Sequence, residues 1–188
     1  TGQPLAILEG HTEIVNSAAF SPDGMRIVTA GNDGTIRLWD SAGQSLGVME
    51  GHTGAVYSAT FSSNGARIIT AGWDGTARLW DGTGQSLAIL EGHTDSVISA
   101  AFSADGTRIV TGSVDGTVRL WDGSGQPLAI LEGHRYPVQS TVFSPDGTRI
   151  VTASGDGTAR LWDGEGRLRD RMNGVPGKRV DVGGSRGR

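Results

Sequence analysis

Short runs of alternating apolar and polar residues, separated by glycine-rich turns, fill the chain and predict β-strands throughout. The stretch from Gly10 to Glu50 shows one unit of the pattern. Val15 to Phe20 is an apolar and small-residue run that ends in Ser21-Pro22-Asp23-Gly24, where proline and Asp-Gly supply the dihedrals of a tight turn. This predicts a first strand and its hairpin. Arg26-Ile27-Val28-Thr29-Ala30 follows as a second strand, and Asp33-Gly34 turns the chain into Thr35-Ile36-Arg37-Leu38-Trp39. Ile36 and Leu38 alternate there with Thr35, Arg37 and Trp39, so both faces of the third strand are occupied. Ser41-Ala42-Gly43 is the next turn, and Ser45 to Met49 is a short fourth strand.

The unit repeats. Gly-His recurs at Gly10-His11, Gly51-His52, Gly92-His93 and Gly133-His134, and Trp-Asp at Trp39-Asp40, Trp80-Asp81, Trp121-Asp122 and Trp162-Asp163. Both series step by 41 residues (52 − 11 and 80 − 39). Two motifs held in constant phase mean one supersecondary unit used four times.

With Gly-His, an Asp-Gly-Thr turn and Arg-Leu-Trp-Asp at fixed offsets, the unit resembles a WD40 repeat over residues 2–163. The resemblance implies an all-β chain of four four-stranded antiparallel blades of a β-propeller, with sheets stacked radially around a channel. The blades are expected at 10–50, 51–91, 92–132 and 133–163, with 2–9 left as an orphan outer strand and 164–188 as a basic tail rich in Gly and Arg. It further implies a buried hydrogen-bonded tetrad in each blade. The matching sets are His11, Thr29, Asp33 and Trp39; His52, Thr70, Asp74 and Trp80; His93, Thr111, Asp115 and Trp121; and His134, Thr152, Asp156 and Trp162.

A carboxylate, an imidazole, a hydroxyl and an indole N–H can satisfy one another where each alone would be costly to bury. His, Asp and a hydroxyl also make a hydrolase triad. Catalysis needs one exposed nucleophile in one cleft, whereas this set recurs in every blade and uses all four His of the chain. The tetrads are therefore read as folding devices, and no enzymatic activity is expected. No metal or other cofactor is expected either, because single His residues 41 apart lack the close pairing of a zinc site and Asp-Gly-Thr lacks the alternating acids of a calcium loop.

Charge divides unevenly between array and tail. Residues 1–163 carry 9 Arg and no Lys against 17 Asp and Glu, a net of −8, and the last 25 residues carry 7 basic and 3 acidic groups, a net of +4; these sum to the chain's −4. An acidic array argues against nucleic acid, which needs a clustered positive surface. The tail reads first as a mobile extension and second as a basic arm, although it lacks the stacking aromatics of single-strand binders. With no Cys and no long apolar run, the chain suits a reducing compartment, so a cytoplasmic location away from membranes is expected. Thr1, inside a repeat, reads as the start of a segment of a longer reading frame or a piece cut for expression.

Positions fixed by folding are shared among repeats, so function belongs where the repeats differ. After Gly-His the copies read Glu13-Ile14-Val15-Asn16, Gly54-Ala55-Val56-Tyr57, Asp95-Ser96-Val97-Ile98 and Tyr136-Pro137-Val138-Gln139. Before the turn Asp they read Asn32, Trp73, Val114 and Gly155. Both sets lie at one end of a blade, and in WD40 proteins that disc face resembles the usual site for peptides and protein partners. Candidate partner-binding residues are Trp73, Tyr57, Asn16, Asn32, Ile98, Val114, Tyr136 and Gln139. Trp73 is the one Trp outside the tetrads, and Trp and Tyr are the residue types that dominate interfaces. Its alternative is to cover its own blade and bind nothing. Glu13 and Asp95 add a mild preference for basic partners.

The expected function is a non-catalytic protein- or peptide-interaction scaffold; the alternative is a structural or relic array that folds and oligomerises without a dedicated ligand. Gly2-Gln3-Pro4-Leu5-Ala6-Ile7-Leu8-Glu9 matches 125–132 residue for residue, yet has no strands before it. At the other end, Arg167-Leu168-Arg169-Asp170-Arg171-Met172 replaces the apolar fourth strand with charges. Four blades in one ring need wedges of about 90°, whereas the family forms rings of roughly seven or eight. A homodimer is expected, in which the N-terminal strand of each copy completes the other's last blade in one eight-bladed ring.

Overall fold

The computed structural model describes residues 2–168, which form four antiparallel sheets without a helix. Blade 1 holds β1 (Val15–Phe20), β2 (Arg26–Gly31), β3 (Ile36–Asp40) and β4 (Ser45–Met49). Blade 2 holds β5 (Val56–Phe61), β6 (Arg67–Gly72), β7 (Ala77–Asp81) and β8 (Ser86–Leu90). Blade 3 holds β9 (Val97–Phe102), β10 (Arg108–Ser113), β11 (Val118–Asp122) and β12 (Pro127–Leu131), and blade 4 holds β13 (Val138–Phe143), β14 (Arg149–Ser154) and β15 (Ala159–Asp163). Strands neighbour one another in chain order, as a meander requires.

The turns explain the repeated motifs. In Trp-Asp, the carboxylate of Asp40 accepts the backbone N–H groups of Ala42 and Gln44 at 2.9 and 2.8 Å and so closes the turn from β3 to β4. Asp81 and Asp122 do the same for the next two blades. In Gly-His, the guanidinium of Arg78 and the ring of Trp80 close over Gly51, where a β-carbon would fall 2.8 Å from Nη1. Only glycine leaves that space.

Three hydrophobic cores lie between blades, each built from the forward face of one sheet and the back face of the next. Val28, Ile36, Leu38 and Met49 meet Val56, Phe61, Ile68 and Trp80. Ile69, Leu79 and Leu90 meet Val97, Ile109 and Trp121, and Val110, Leu120 and Leu131 meet Val138, Ile150 and Trp162. Fully burying a side chain of this size contributes about 1.5–3 kcal/mol, so the stack of sheets is the main source of stability. Each junction is also bound by an arginine. Arg26 Nη2 donates to the carbonyl of Gly65 at 2.8 Å, Nη1 to that of Gly82, and the guanidinium lies 5.3 Å from the centre of the Phe61 ring. Arg67 with Gly106, Gly123 and Phe102, and Arg108 with Gly147, Gly164 and Phe143, repeat it.

The end blades differ from the expected pattern. The segment 2–9 forms no strand, because no described sheet edge pairs with it. It nevertheless sits where an outer strand belongs. A β-carbon on Gly43 would lie 3.0 Å from Ala6 Cβ and Leu8 Cδ2, just as Gly125 faces Ala88 and Leu90 of the preceding blade. Blade 4 is three-stranded rather than four-stranded among the described residues. Its outer edge carries one bridge, Trp162 to Leu168, in the register of Trp121 to Pro127, and the rest of the charged segment lies outside the described residues. The faces of the two end blades are open: Phe20 is 66% exposed where Phe61 is 8%, and Leu161 is 40% exposed where Leu79 is 2%.

Candidate functional site

The sixteen tetrad residues come together as expected. Histidine Nδ1 lies 2.8–3.0 Å from the aspartate in each blade, Nε2 lies 2.8–2.9 Å from the threonine hydroxyl, and the indole donates to that oxygen at 2.9–3.0 Å. Burial pushes the pKa of His52 down, which holds its ring neutral near pH 7. For Asp33, burial alone would raise the pKa, but hydrogen bonds from Thr12, Thr35 and His11 outweigh it and bring the carboxyl down to about 2. Similar bonds lower Asp74, Asp115 and Asp156. A neutral imidazole then donates from Nδ1 to the carboxylate and accepts at Nε2 from the threonine, whose oxygen accepts the indole N–H. That order is the one a hydrolase triad uses. Here, however, Thr70, Thr111 and Thr152 are fully buried, and their oxygens already hold an indole, so no substrate carbonyl can reach them.

Each inner strand carries a β-bulge at its second residue. The register passes from Val15 to Ser17, Val56 to Ser58, Val97 to Ser99 and Val138 to Ser140, leaving Asn16, Tyr57, Ile98 and Gln139 without ladder partners. A bulge re-aims a side chain. Backbone bonds then join the two variable sets in every blade: Asn32 N–H to Ile14 O at 2.8 Å, Trp73 to Ala55 at 2.8 Å, Val114 to Ser96 at 2.9 Å and Gly155 to Pro137 at 3.0 Å. The residues where the repeats differ thus share one rim.

On that rim Tyr57, Trp73, Ile98 and Val114 line a single cleft of about 240 Å³ between blades 2 and 3, with Asp95 and Ser96 on its wall. A more polar cleft of about 390 Å³ also borders Trp73, Asp95 and Ser96 and is lined by Thr53, Asp74, His93 and Thr94. Trp73 is 59% exposed, whereas the four tetrad tryptophans are buried. The other candidates stand apart. Asn16 donates to Asn32 Oδ1 at 2.7 Å and to Val56 O at 3.0 Å, so that pair joins blades 1 and 2. Tyr136 and Gln139 are exposed on blade 4, away from the cleft. The bulges and the inter-blade arginines were missed by sequence reasoning; Arg26, Arg67, Arg108 and Arg149 recur in one phase, which was the signal for the second.

Among the described residues no group of three or more His, Cys, Asp or Glu is placed to hold a metal ion, and no helix is long and apolar enough to cross a membrane. The WD domain, G-beta repeat family matches residues 2–40, 43–81, 84–122 and 125–163. The chain belongs to the WD40 repeat family. Its WD40 repeats are similar to stretches of two proteins of Saccharomyces cerevisiae. It is 53% identical over 38 residues to Ribosome assembly protein 4, covering 20% of this chain and 7% of that protein. It is 56% identical over 32 residues to Periodic tryptophan protein 2, covering 17% of this chain and 4% of that one. Matches so short relative to those proteins concern the repeat alone. Among solved structures, the crystal structure of the computationally designed Ika4 protein is similar at 36% identity and a TM-score of 0.77, over 87% of this chain and 99% of that one. A WD40 scaffold of propeller blades is the shared content of these likenesses.

Proposed function

We propose that the chain is a non-catalytic interaction scaffold that binds a protein or peptide segment in the cleft of Tyr57, Trp73, Ile98 and Val114. The observation that carries this reading is the exposed indole of Trp73, bordering an apolar and a polar cleft on the rim where the repeats differ. Aromatic side chains presented on such a rim supply large contact area at low entropic cost. Asp95 on the wall favours a partner with a basic residue. The cysteine-free composition suits the cytoplasm.

Two copies complete the scaffold. Segment 2–9 already occupies an outer-strand position against blade 1, and Pro4 with residues 6–8 matches the residues that pair with β11 in blade 3, so they fit the edge of β15 in a second chain. Eight blades then form one ring. Among the described residues, Leu168 competes with Pro4 there, for Trp162.

One observation favours the alternative of an array without a ligand: Trp73 packs over Gly54 of its own blade. Selection of a displayed peptide library on the protein separates the two readings. Enriched peptides should bind the native protein and lose at least ~10-fold in affinity to a Trp73→Ala, Tyr57→Ala variant with unchanged circular dichroism. Equal binding to both forms rules out the cleft as the binding site.

A further inference from the structure

Three of the four blades send an arginine forward into the next blade, and the fourth has the same arginine at the open end of the stack. Arg26, Arg67 and Arg108 each give one guanidinium N–H to the glycine of the next blade's hairpin and another to the first residue of its following turn, and each lies 5.3–5.5 Å from that blade's phenylalanine. Arg149, 41 residues after Arg108, is exposed. At the opposite end of the chain the matching receptor is also open: Phe20 is 66% exposed, and Gly24 has the same left-handed conformation as Gly65 and Gly106, with φ of 69° against 67° and 68°.

We infer that Arg149 of one chain latches into Phe20, Gly24 and Ser41 of a second copy. The inference rests on the ring closure proposed above and names the contact that selects a second copy of this chain. The apolar faces agree with it. Val151 and Leu161 are 40% exposed, whereas their counterparts Val28, Ile69, Leu38 and Leu79 are buried between blades. The counterparts of Val15 and Phe20, Val56 and Phe61, receive those faces within the chain. Forward and back faces that fit three times internally are thus each present once without a mate.

The receptor departs from the internal ones at Ser41, which stands where blades 2 and 3 have Gly82 and Gly123. At those glycines a β-carbon would lie 2.8 and 2.7 Å from the hairpin carbonyls of Gly65 and Gly106 and 3.0 and 3.2 Å from the arginine Nη1. The Ser41 side chain therefore crowds the seat of Arg149, at some loss of affinity.

Two measurements on the 188-residue protein test the latch. In sedimentation equilibrium, Arg149→Ala should raise the dimer dissociation constant at least ~10-fold, and Ser41→Gly should lower it. For crosslinking, Ser99 Oγ and Thr141 Oγ1 lie 3.1 Å apart across the junction of blades 3 and 4, and one repeat further on these positions are Ser140 and Ala18. An oxidised Ser140→Cys, Ala18→Cys variant should run as a covalent dimer on a denaturing gel, while the Ser99→Cys, Thr141→Cys control stays at the mass of one chain. A native dimer that crosslinks but does not respond to Arg149→Ala overturns the latch and leaves closure standing, and a native dimer that does not crosslink overturns closure and the latch with it. A native protein that is monomeric throughout overturns closure, and the latch with it.

Discussion

A β-carbon on Gly54 would fall 2.8 Å from Cε3 of Trp73, so the indole fills the space that the other blades give to the side chains of Glu13, Asp95 and Tyr136. In blade 2 the large residue at 73 thus goes with the small one at 54. Trp73 is thereby held on the rim by its own blade while most of its surface stays free.

Replacing Gly54 with Ala should therefore displace Trp73 at a small cost in stability, about 1–3 kcal/mol. Tryptophan fluorescence reads the displacement directly. The change in emission should vanish when the same substitution is made in a Trp73→Phe background, because the remaining four indoles are in the tetrads.

Thr70→Val should cost more. The hydroxyl accepts from Trp80 Nε1 at 3.0 Å and serves His52 Nε2 at 2.8 Å, and both partners would be left buried without a bond. At about 1–3 kcal/mol for each unsatisfied group, the loss should be about 2–6 kcal/mol in denaturant unfolding. Thr83→Val, in an exposed turn that keeps its backbone bonds to Asp81, should cost much less.

Acid should destabilise the fold in two stages. Burial pushes His52 below its ordinary 6.5, so as pH falls past 6.5 the unfolded chain takes up a proton that the folded chain refuses, and stability declines. Asp33 is held at about 2 against an ordinary 3.8, so its contribution is complete above 3.8 and is lost as pH falls toward 2. Unfolding free energy measured from pH 8 to 2 should fall in both windows. A Thr70→Val variant removes the hydroxyl that donates to neutral His52 at Nε2, a bond that opposes protonation of the ring, and should flatten the upper one.

The strands were legible almost to the residue, since Asp-Gly turns and Trp-Asp caps mark both ends of each run. The tetrads were legible because repetition exposes them. The cleft was legible only in part. Tyr57 and Trp73 stand out as aromatics within one repeat, but Ile98 and Val114 join them from the next blade, and the wedge that brings blades together is written in no single repeat. Asn16 and Asn32 look like free polar groups in the sequence and turn out to bind each other. The arginines failed for another reason: nothing within one repeat shows that the stacking of blades brings Gly65 and Phe61 against Arg26. The segment 2–9, expected as an orphan outer strand, forms no ladder.

The proposed closure makes these four blades half of a ring. Sedimentation equilibrium of the 188-residue protein at micromolar concentration tests it most directly. A mass of twice 19.5 kDa, with no larger species, is the predicted result; 19.5 kDa at every concentration would contradict it.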